Sequence, residues 1–412
     1  MSEDNTKKII FYVIGIVVMV ALFLFIVKGV KDMVSSQLSE SDTTEVTETE
    51  VDMAAQIAAD RATVSTTEIS TEPVTEAEVT TQEYVEETTQ ELTVDDDVSA
   101  PVFLVLPSSV SIKEGTPFYI LDYVGYADDV DKLPELETEG EVNTSATGSY
   151  PLTLKLTDKA GHTTTGKMVV NVYADSSTST GDGGAGNTSS EKPKQDFETF
   201  KTTYKNDNTS LGIDVSRWQE DVDYVKVKDA GCEFVIIRIG GFDDGSEYID
   251  KYFKSNIEHA KAAGLKVGVY WHAEENSTEQ VKKNVDYMMS ALSGEELDFP
   301  IAYDWEDFSH FPKYAMNLHD INNCFETFCN SVKAYGYDAC LYSSRNFLDS
   351  VWTNENKHPV WLANYTATTG YSGDFYMWQQ SNTGSIPGVN GDVDLNILYL
   401  DKLGESKKGT DE

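Results

Sequence analysis

The stretch Tyr303-Asp304-Trp305-Glu306-Asp307 sets two carboxylates two residues apart, directly after the apolar run Phe299-Pro300-Ile301-Ala302. A short apolar run with a proline near its start reads as a buried strand. Side chains alternate along a strand, so Asp304 and Glu306 share one face, about 7 Å apart along the backbone, and Trp305 points to the other. Like charges held together under partial burial raise the pKa of at least one of them. The arrangement costs stability, but it provides what acid–base catalysis needs: one carboxyl that keeps its proton beside one that does not. Asp-x-Glu alone is common and usually solvated, so its surroundings decide its meaning.

From Asn208 onward, strand and helix patterns alternate. Leu211-Gly212-Ile213-Asp214-Val215, Phe234-Val235-Ile236-Ile237-Arg238 and the stretch Lys266 to Trp271 precede the carboxylate strand, and Cys340-Leu341-Tyr342 follows it. Between them lie helical patterns stopping at Gly231, Gly264 and Gly336, with Ser277-x-x-Gln280 as a capping box. After Tyr342 the spacing tightens: Pro359 to Ala363, Tyr376 to Gln380 and Val393 to Asn396 leave little room for crossover helices. The expected fold is therefore α/β, a modified TIM-like barrel of five βα units followed by three strands. Barrels of this type carry chemistry at the C-terminal strand ends. Asp214, Asp304, Glu306 and Asp394 would then meet at one mouth, with Asp392 a weaker stand-in for Asp394.

Other residues fit binding roles. Tyr270, Trp218 and Trp378 offer rigid, apolar faces on which a ligand can stack, whereas Trp305 and Trp361 read as core packing. Arg238 ends an apolar strand and needs a charged partner, expected among the site carboxylates. His272 and His310 are isolated and read as surface or supporting groups. This chemistry needs no metal or cofactor, and the sequence shows no metal cluster. Cys232, Cys324, Cys329 and Cys340 form no CxxC pair and read as buried free thiols.

The rest of the 412-residue chain is different in texture, and its formal net charge of −39 argues against nucleic acid as a partner. Residues 1–32 hold the uncharged run Ile9 to Val27 between lysines, expected to be an uncleaved single transmembrane helix with the C-terminal bulk outside. Residues 33–98 are acidic and Ser/Thr-rich, with Arg61 the one basic residue before Asp97, and cannot offset ordering entropy. Residues 99–174 carry short strand patterns with turns between them, the signature of a small β-sandwich, read as a stalk. Residues 175–207 read as a flexible linker, 208–405 as the barrel and 406–412 as a tail.

Two resemblances follow from the residues. Gly148-Ser149-Tyr150, Leu154 to His162 and Val170-Asn171-Val172 resemble bacterial immunoglobulin-like surface domains. Gly212-Ile213-Asp214-Val215-Ser216-Arg217-Trp218-Gln219, Phe234 to Arg238, Gly264 to Tyr270, Asp304-Trp305-Glu306, Trp361-Leu362-Ala363-Asn364-Tyr365 and Trp378-Gln379 with Val393 to Asn396 together resemble the family 25 glycoside hydrolases, the bacterial and phage-type lysozymes. That resemblance implies cleavage of the β-1,4 bond between N-acetylmuramic acid and N-acetylglucosamine in peptidoglycan. Glu306 then matches the proton donor, Asp304 its partner, and Asp214 and Asp394 the supporting carboxylates. Trp271-His272-Ala273 departs from the family's common pattern after Tyr270. The residues leave two routes open, direct attack by water or attack by the substrate's own acetamido oxygen. Taken with the apolar run Ile9 to Val27, the resemblance implies a membrane-anchored peptidoglycan hydrolase outside the cell; a non-catalytic wall-binding scaffold is the alternative from another class.

Overall fold

The computed structural model describes residues 92–174, 194–243, 245–353 and 357–402, all within one compact unit. Eight strands close the barrel: β8 (Thr209–Val215), β9 (Phe234–Asp243), β11 (Lys266–Ala273), β12 (Ile301–Trp305), β13 (Ala339–Ser344), β14 (Val360–Ala363), β15 (Met377–Ser385) and β16 (Val393–Tyr399). Five helical crossovers, α2 (Tyr224–Asp229), α3 (Phe253–Ala262), α4 (Thr278–Leu292), α5 (Leu318–Ala334) and α6 (Arg345–Ser350), follow the first five of these strands. β9 also runs on into a hairpin with β10 (Ser246–Ile249).

β8, β9, β11, β12, β13, β14 and β15 pair in parallel around the barrel, but β16 is antiparallel to both β15 and β8. Its connection to β15, residues 386–392, is too short for the crossover that a parallel return requires. The reversal carries Asp394, at the start of β16, to the same mouth as the C-terminal ends of the other strands, directly opposite Asp214.

Large side chains fill the barrel interior, among them Phe234, Ile236, Phe299, Tyr342, Trp361 and Leu398. A Cβ on Gly212 would meet the Phe234 ring at 2.4 Å, so only glycine fits there. The outer layer buries the helical stripes read from the sequence, including Ile257 and Ala260 of α3 and Ile321, Phe325, Phe328 and Val332 of α5. Ser277 caps α4 by accepting from Gln280 N at 3.4 Å. Gln280 does not complete the reciprocal box; its side chain donates to Asn284 Oδ1 at 2.8 Å. All four cysteines are buried and free.

Part of the expected linker 175–207 is built into the barrel. β7 (Gln195–Asp196) pairs with β15, and α1 (Phe197–Tyr204) is capped by Asp196, which accepts from Thr199 N at 3.0 Å. Phe197 and Phe200 are buried in the outer core. The alternation of Phe197, Phe200 and Tyr204 is a helical stripe that the neighbouring Ser/Thr/Gly composition concealed.

Before the barrel, the sheet β2 (Ser109–Lys113), β6 (Thr163–Tyr173), β5 (Gly148–Thr157), β4 (Glu135–Glu139) packs with a ribbon of β1 (Val102–Val105) and β3 (Gly125–Ala127). Leu152, Leu154 and Leu156 of β5 alternate into a core with Val170 and Val172 of β6. The ribbon is seated on the barrel. Ala127 is part of the barrel's outer core, and Leu104 and Val105 pack against it. Asp128 O accepts from Leu318 N at 2.8 Å, Val130 O accepts from Asn317 Nδ2 at 2.7 Å, and Lys132 pairs with Asp320 at 2.9 Å. These contacts grip the N-terminus of α5, and the ribbon strands lie against the 3₁₀ segment Phe308–Tyr314, which begins two residues after Glu306.

The expected single-pass membrane location is corrected. Among the described residues no helix is long and apolar enough to cross a membrane, and the run 9–27 that carried the expectation lies outside the described residues.

A Cβ on Gly125 would sit 1.8 Å from Phe308 O. Gly125→Val should therefore force the sandwich off the barrel and lower the melting temperature by several degrees, in line with overpacking costs of about 1–3 kcal/mol. Calorimetry checks this, and an unchanged melting temperature would show the seam to be inessential.

Candidate active site

The mouth is built around Asp214, near the end of β8. Its Oδ2 accepts from Asn396 Nδ2 at 2.7 Å and from Gln379 Nε2 at 2.9 Å. Both donors face inward from neighbouring strands and are held in turn. Tyr342 Oη donates to Gln379 Oε1 at 2.9 Å and Tyr365 Oη at 2.8 Å. Trp361 Nε1 donates to Asn396 Oδ1 at 2.9 Å. Asn396 has no exposed surface, so its amide is committed to this network.

Asp394 shares a hydrogen bond with Asp214. Burial, then the charge and hydrogen bond of Asp214, push Asp394 up to about 9. Asp304 and Glu306 are joined similarly across the mouth. Asp304 is buried, and that burial, followed by the charges of Glu306 and Asp214, holds it well above the ordinary carboxyl range against the pull of Arg238. Its Oδ1 has no hydrogen-bond partner among the described residues. Glu306 keeps exposed surface at the mouth, yet desolvation by the surrounding protein, with Asp214 adding to it, pushes its carboxyl up to about 7. The four carboxyls predicted to meet therefore do meet. They titrate as one interacting group in which at least one proton is retained near neutrality.

Tyr270 points inward at the foot of this group and packs edge-on against Trp361, with ring centroids 6.3 Å apart. Burial pushes its hydroxyl well up; Arg238 opposes this, and Asp214, Asp304 and Asp394 add to it. Trp218 lies on the turn after β8, 71% exposed, with the Arg217 guanidinium 5.0 Å from its ring centroid. It is an open aromatic face at the rim.

Two expectations are corrected. Trp378 sits on the outer face of β15, 3% exposed, with its ring edge-on to Tyr204 at 5.7 Å and its Nε1 donating to Asn364 O. Strand parity sends Gln379 inward and Trp378 outward. Arg238 does not pair with a site carboxylate; its partner is the buried Asp250, 2.8 Å away. Asp250 follows the β9–β10 hairpin and also accepts from Arg217 N at 2.8 Å, so it ties Arg238 to the turn that carries Trp218. Asp392 lies outside the mouth, paired with Lys194 at 3.0 Å. His310 closes onto Asp307 at 2.7 Å, and His272, level with Asp304 in the ladder, is pushed down by burial and by Arg238. Gln379, Asn396, Tyr342, Tyr365 and Asp250 were not singled out from sequence. A legible signal existed for Asn396, a polar residue in the apolar run Val393 to Tyr399 on the parity of Asp394.

A closed barrel with acidic residues at the C-terminal mouth, one poised to hold a proton at neutral pH, defines the kind of centre that glycoside hydrolysis uses. Residues 213–389 match the model of the glycosyl hydrolases family 25, and residues 107–172 match that of the bacterial surface protein Ig-like domain. The barrel is thus a glycosyl hydrolase family 25 domain, and the sandwich a bacterial Ig-like domain. The autolytic lysozyme of Clostridium acetobutylicum is 28% identical over 187 residues, covering 45% of this chain and 54% of the relative. Lysozyme M1 of Streptomyces globisporus is 31% identical over 198 residues, covering 45% and 66%. Among solved structures, a family 25 glycosyl hydrolase from Bacillus anthracis aligns at TM-score 0.42 and 20% identity, covering 48% of this chain and 91% of that one. The chain spans between about half and two thirds of the curated relatives' own length.

The pKa of Asp394 also bears on stability. Its carboxyl lies well above the ordinary value in the folded state, so its contribution to stability is fully present below about pH 4 and declines as pH rises toward about 9. Asp394→Asn removes that ionisation and keeps a hydrogen-bonding side chain against Asp214. The melting temperature of the variant relative to the wild type should rise steadily between pH 4 and pH 8; a pH-independent difference would contradict the placement.

Proposed function

We propose that the barrel is a muramidase that cleaves the β-1,4 bond between N-acetylmuramic acid and N-acetylglucosamine in peptidoglycan. The observation that carries this reading is the joined Asp304–Glu306 pair at the mouth of a family 25 barrel, with Glu306 raised to about 7 and open to solvent. Two of the relatives that the chain matches are named as lysozymes.

In this reading Glu306 gives its proton to the glycosidic oxygen as the bond breaks, a role that requires the protonated form at working pH. Asp304 faces the sugar that becomes the oxocarbenium-like centre. Its unpartnered Oδ1 suits the N–H of an acetamido group, and holding that group would aim its carbonyl oxygen at the anomeric carbon. Asp214 and Asp394, one proton between them, hold the far side of the mouth and set the charge that Glu306 feels. Tyr270 lines the floor beneath the sugar, and Trp218 offers its face at the rim for a neighbouring residue of the glycan.

Glu306→Gln should lower dye release from purified peptidoglycan by about 10²–10⁴-fold while leaving the melting temperature within a few degrees. Retention of more than about a tenth of the activity would sink the assignment. In the wild type, kcat should fall as pH rises through about 7, where Glu306 loses its proton. A rate that rises through the same interval would assign Glu306 to a base.

A further inference from the structure

A second acidic cluster lies in the Ig-like domain, at its seam with the barrel. The ligand atoms of Asp97, Asp128 and Asp129 fall within 4.8 Å of one another, as do those of Asp97, Asp158 and His162. Asp97 is common to both groups. The residues come from three separate segments, and Asp97, Asp128 and Asp158 are 7%, 1% and 5% exposed.

The hydrogen bonds around the cluster leave oxygens unused. Asp128 Oδ1 accepts from Val130 N at 3.0 Å and Asp131 N at 2.6 Å, but its Oδ2 is buried with no partner, and so is Asp129 Oδ1. Asp158 Oδ1 accepts from Gly161 N and His162 N, and its Oδ2 lies 3.1 Å from His162 Nδ1. Asp97 Oδ1 accepts weakly from Ser99 N at 3.3 Å and lies 3.6 Å from the same imidazole nitrogen. Among the described residues no lysine or arginine pairs with these four aspartates; Lys159 turns to Asp131 instead, at 2.7 Å. Four carboxylates around one imidazole are a large uncompensated charge for a buried place. Burial, followed by Asp158, pushes Asp97 up, and burial also raises Asp128, with Asp97 and Asp129 adding to it.

We propose that this cluster is a calcium site. The donors are hard carboxylate oxygens in an irregular array, which suits the six to eight flexible oxygen ligands of Ca²⁺ at about 2.3–2.6 Å. Zinc sites draw on Cys and His in a tetrahedron, and Mg²⁺ prefers a small octahedron filled largely by water. His162 stands beside the ion, steering Asp158 and Asp97. The consequence reaches the barrel, because the loop 128–131 that wraps the ion also supplies the carbonyls that hold Leu318 N and Asn317 Nδ2. An ion here would lock the Ig-like domain onto the N-terminus of α5.

The test is thermal unfolding of the full chain in EDTA and in 10 mM CaCl₂. The melting temperature should rise by several degrees with calcium, saturating with an apparent dissociation constant of about 10⁻⁴–10⁻³ M, the range of extracellular calcium modules. Asp128→Asn should abolish the response. Asp129→Asn, at a partly exposed position whose Oδ1 has no hydrogen-bond partner, should weaken it at least tenfold with the fold retained. Glu137→Gln, in the exposed pair with Lys155, should leave it unchanged. No rise with calcium, an equal rise with magnesium, or a wild-type response from Asp129→Asn would each overturn the proposal.

Discussion

Much of the barrel's mouth follows from how Asp214 is held. A buried carboxylate survives only if its lone pairs are answered. Here the answers are the amides of Gln379 and Asn396. An amide can point either way, and each is fixed by what its oxygen accepts: two phenols for Gln379, an indole N–H for Asn396. Five side chains from four strand regions are thereby committed to orienting one carboxylate. The negative charge so fixed is what Asp394, Asp304 and Glu306 all feel. Remove the two amide donors, and the ordering of protons across the mouth goes with them.

The barrel and its four carboxylates were legible because each rests on local signals: apolar runs with acids at their ends, helical stripes, and glycine stops. Gly231, Gly264 and Gly336, read as stops, adopt positive φ of +100°, +74° and +84°. The direction of β16 was not legible from strand propensity. It follows from the length of one connection, which excludes a crossover but does not itself look like a hairpin turn. The residues 195–204 were hidden because a three-residue stripe is a faint signal beside a long Ser/Gly-rich stretch.

Where the reading of the site failed, the cause was partner choice across space. Arg238 needed a carboxylate, and the site held four, but the nearest came from a hairpin that the sequence did not announce. Trp378 was assigned to the mouth for its aromatic face, but its neighbour Gln379 holds the inward position; a single step along a strand reverses the face. The aspartates of the Ig-like domain show the same limit more sharply. Positions 97, 128, 129 and 158 have no metal-ligand spacing in the chain, and only the fold brings them together.

The antiparallel last strand has a temporal consequence. Asp214 receives its Asn396 hydrogen bond from 182 residues downstream, and β8 closes the barrel only against β16. Contacts of such long sequence separation form late, since the loop between them must be ordered first. During synthesis, everything from β8 through β15 can emerge and begin to pack while the mouth still lacks both Asp394 and the amide that steadies Asp214. The acidic centre is therefore incomplete on any chain that stops short of its last strand, so interrupted products of translation would carry the aromatics of the mouth without the finished set of carboxyls.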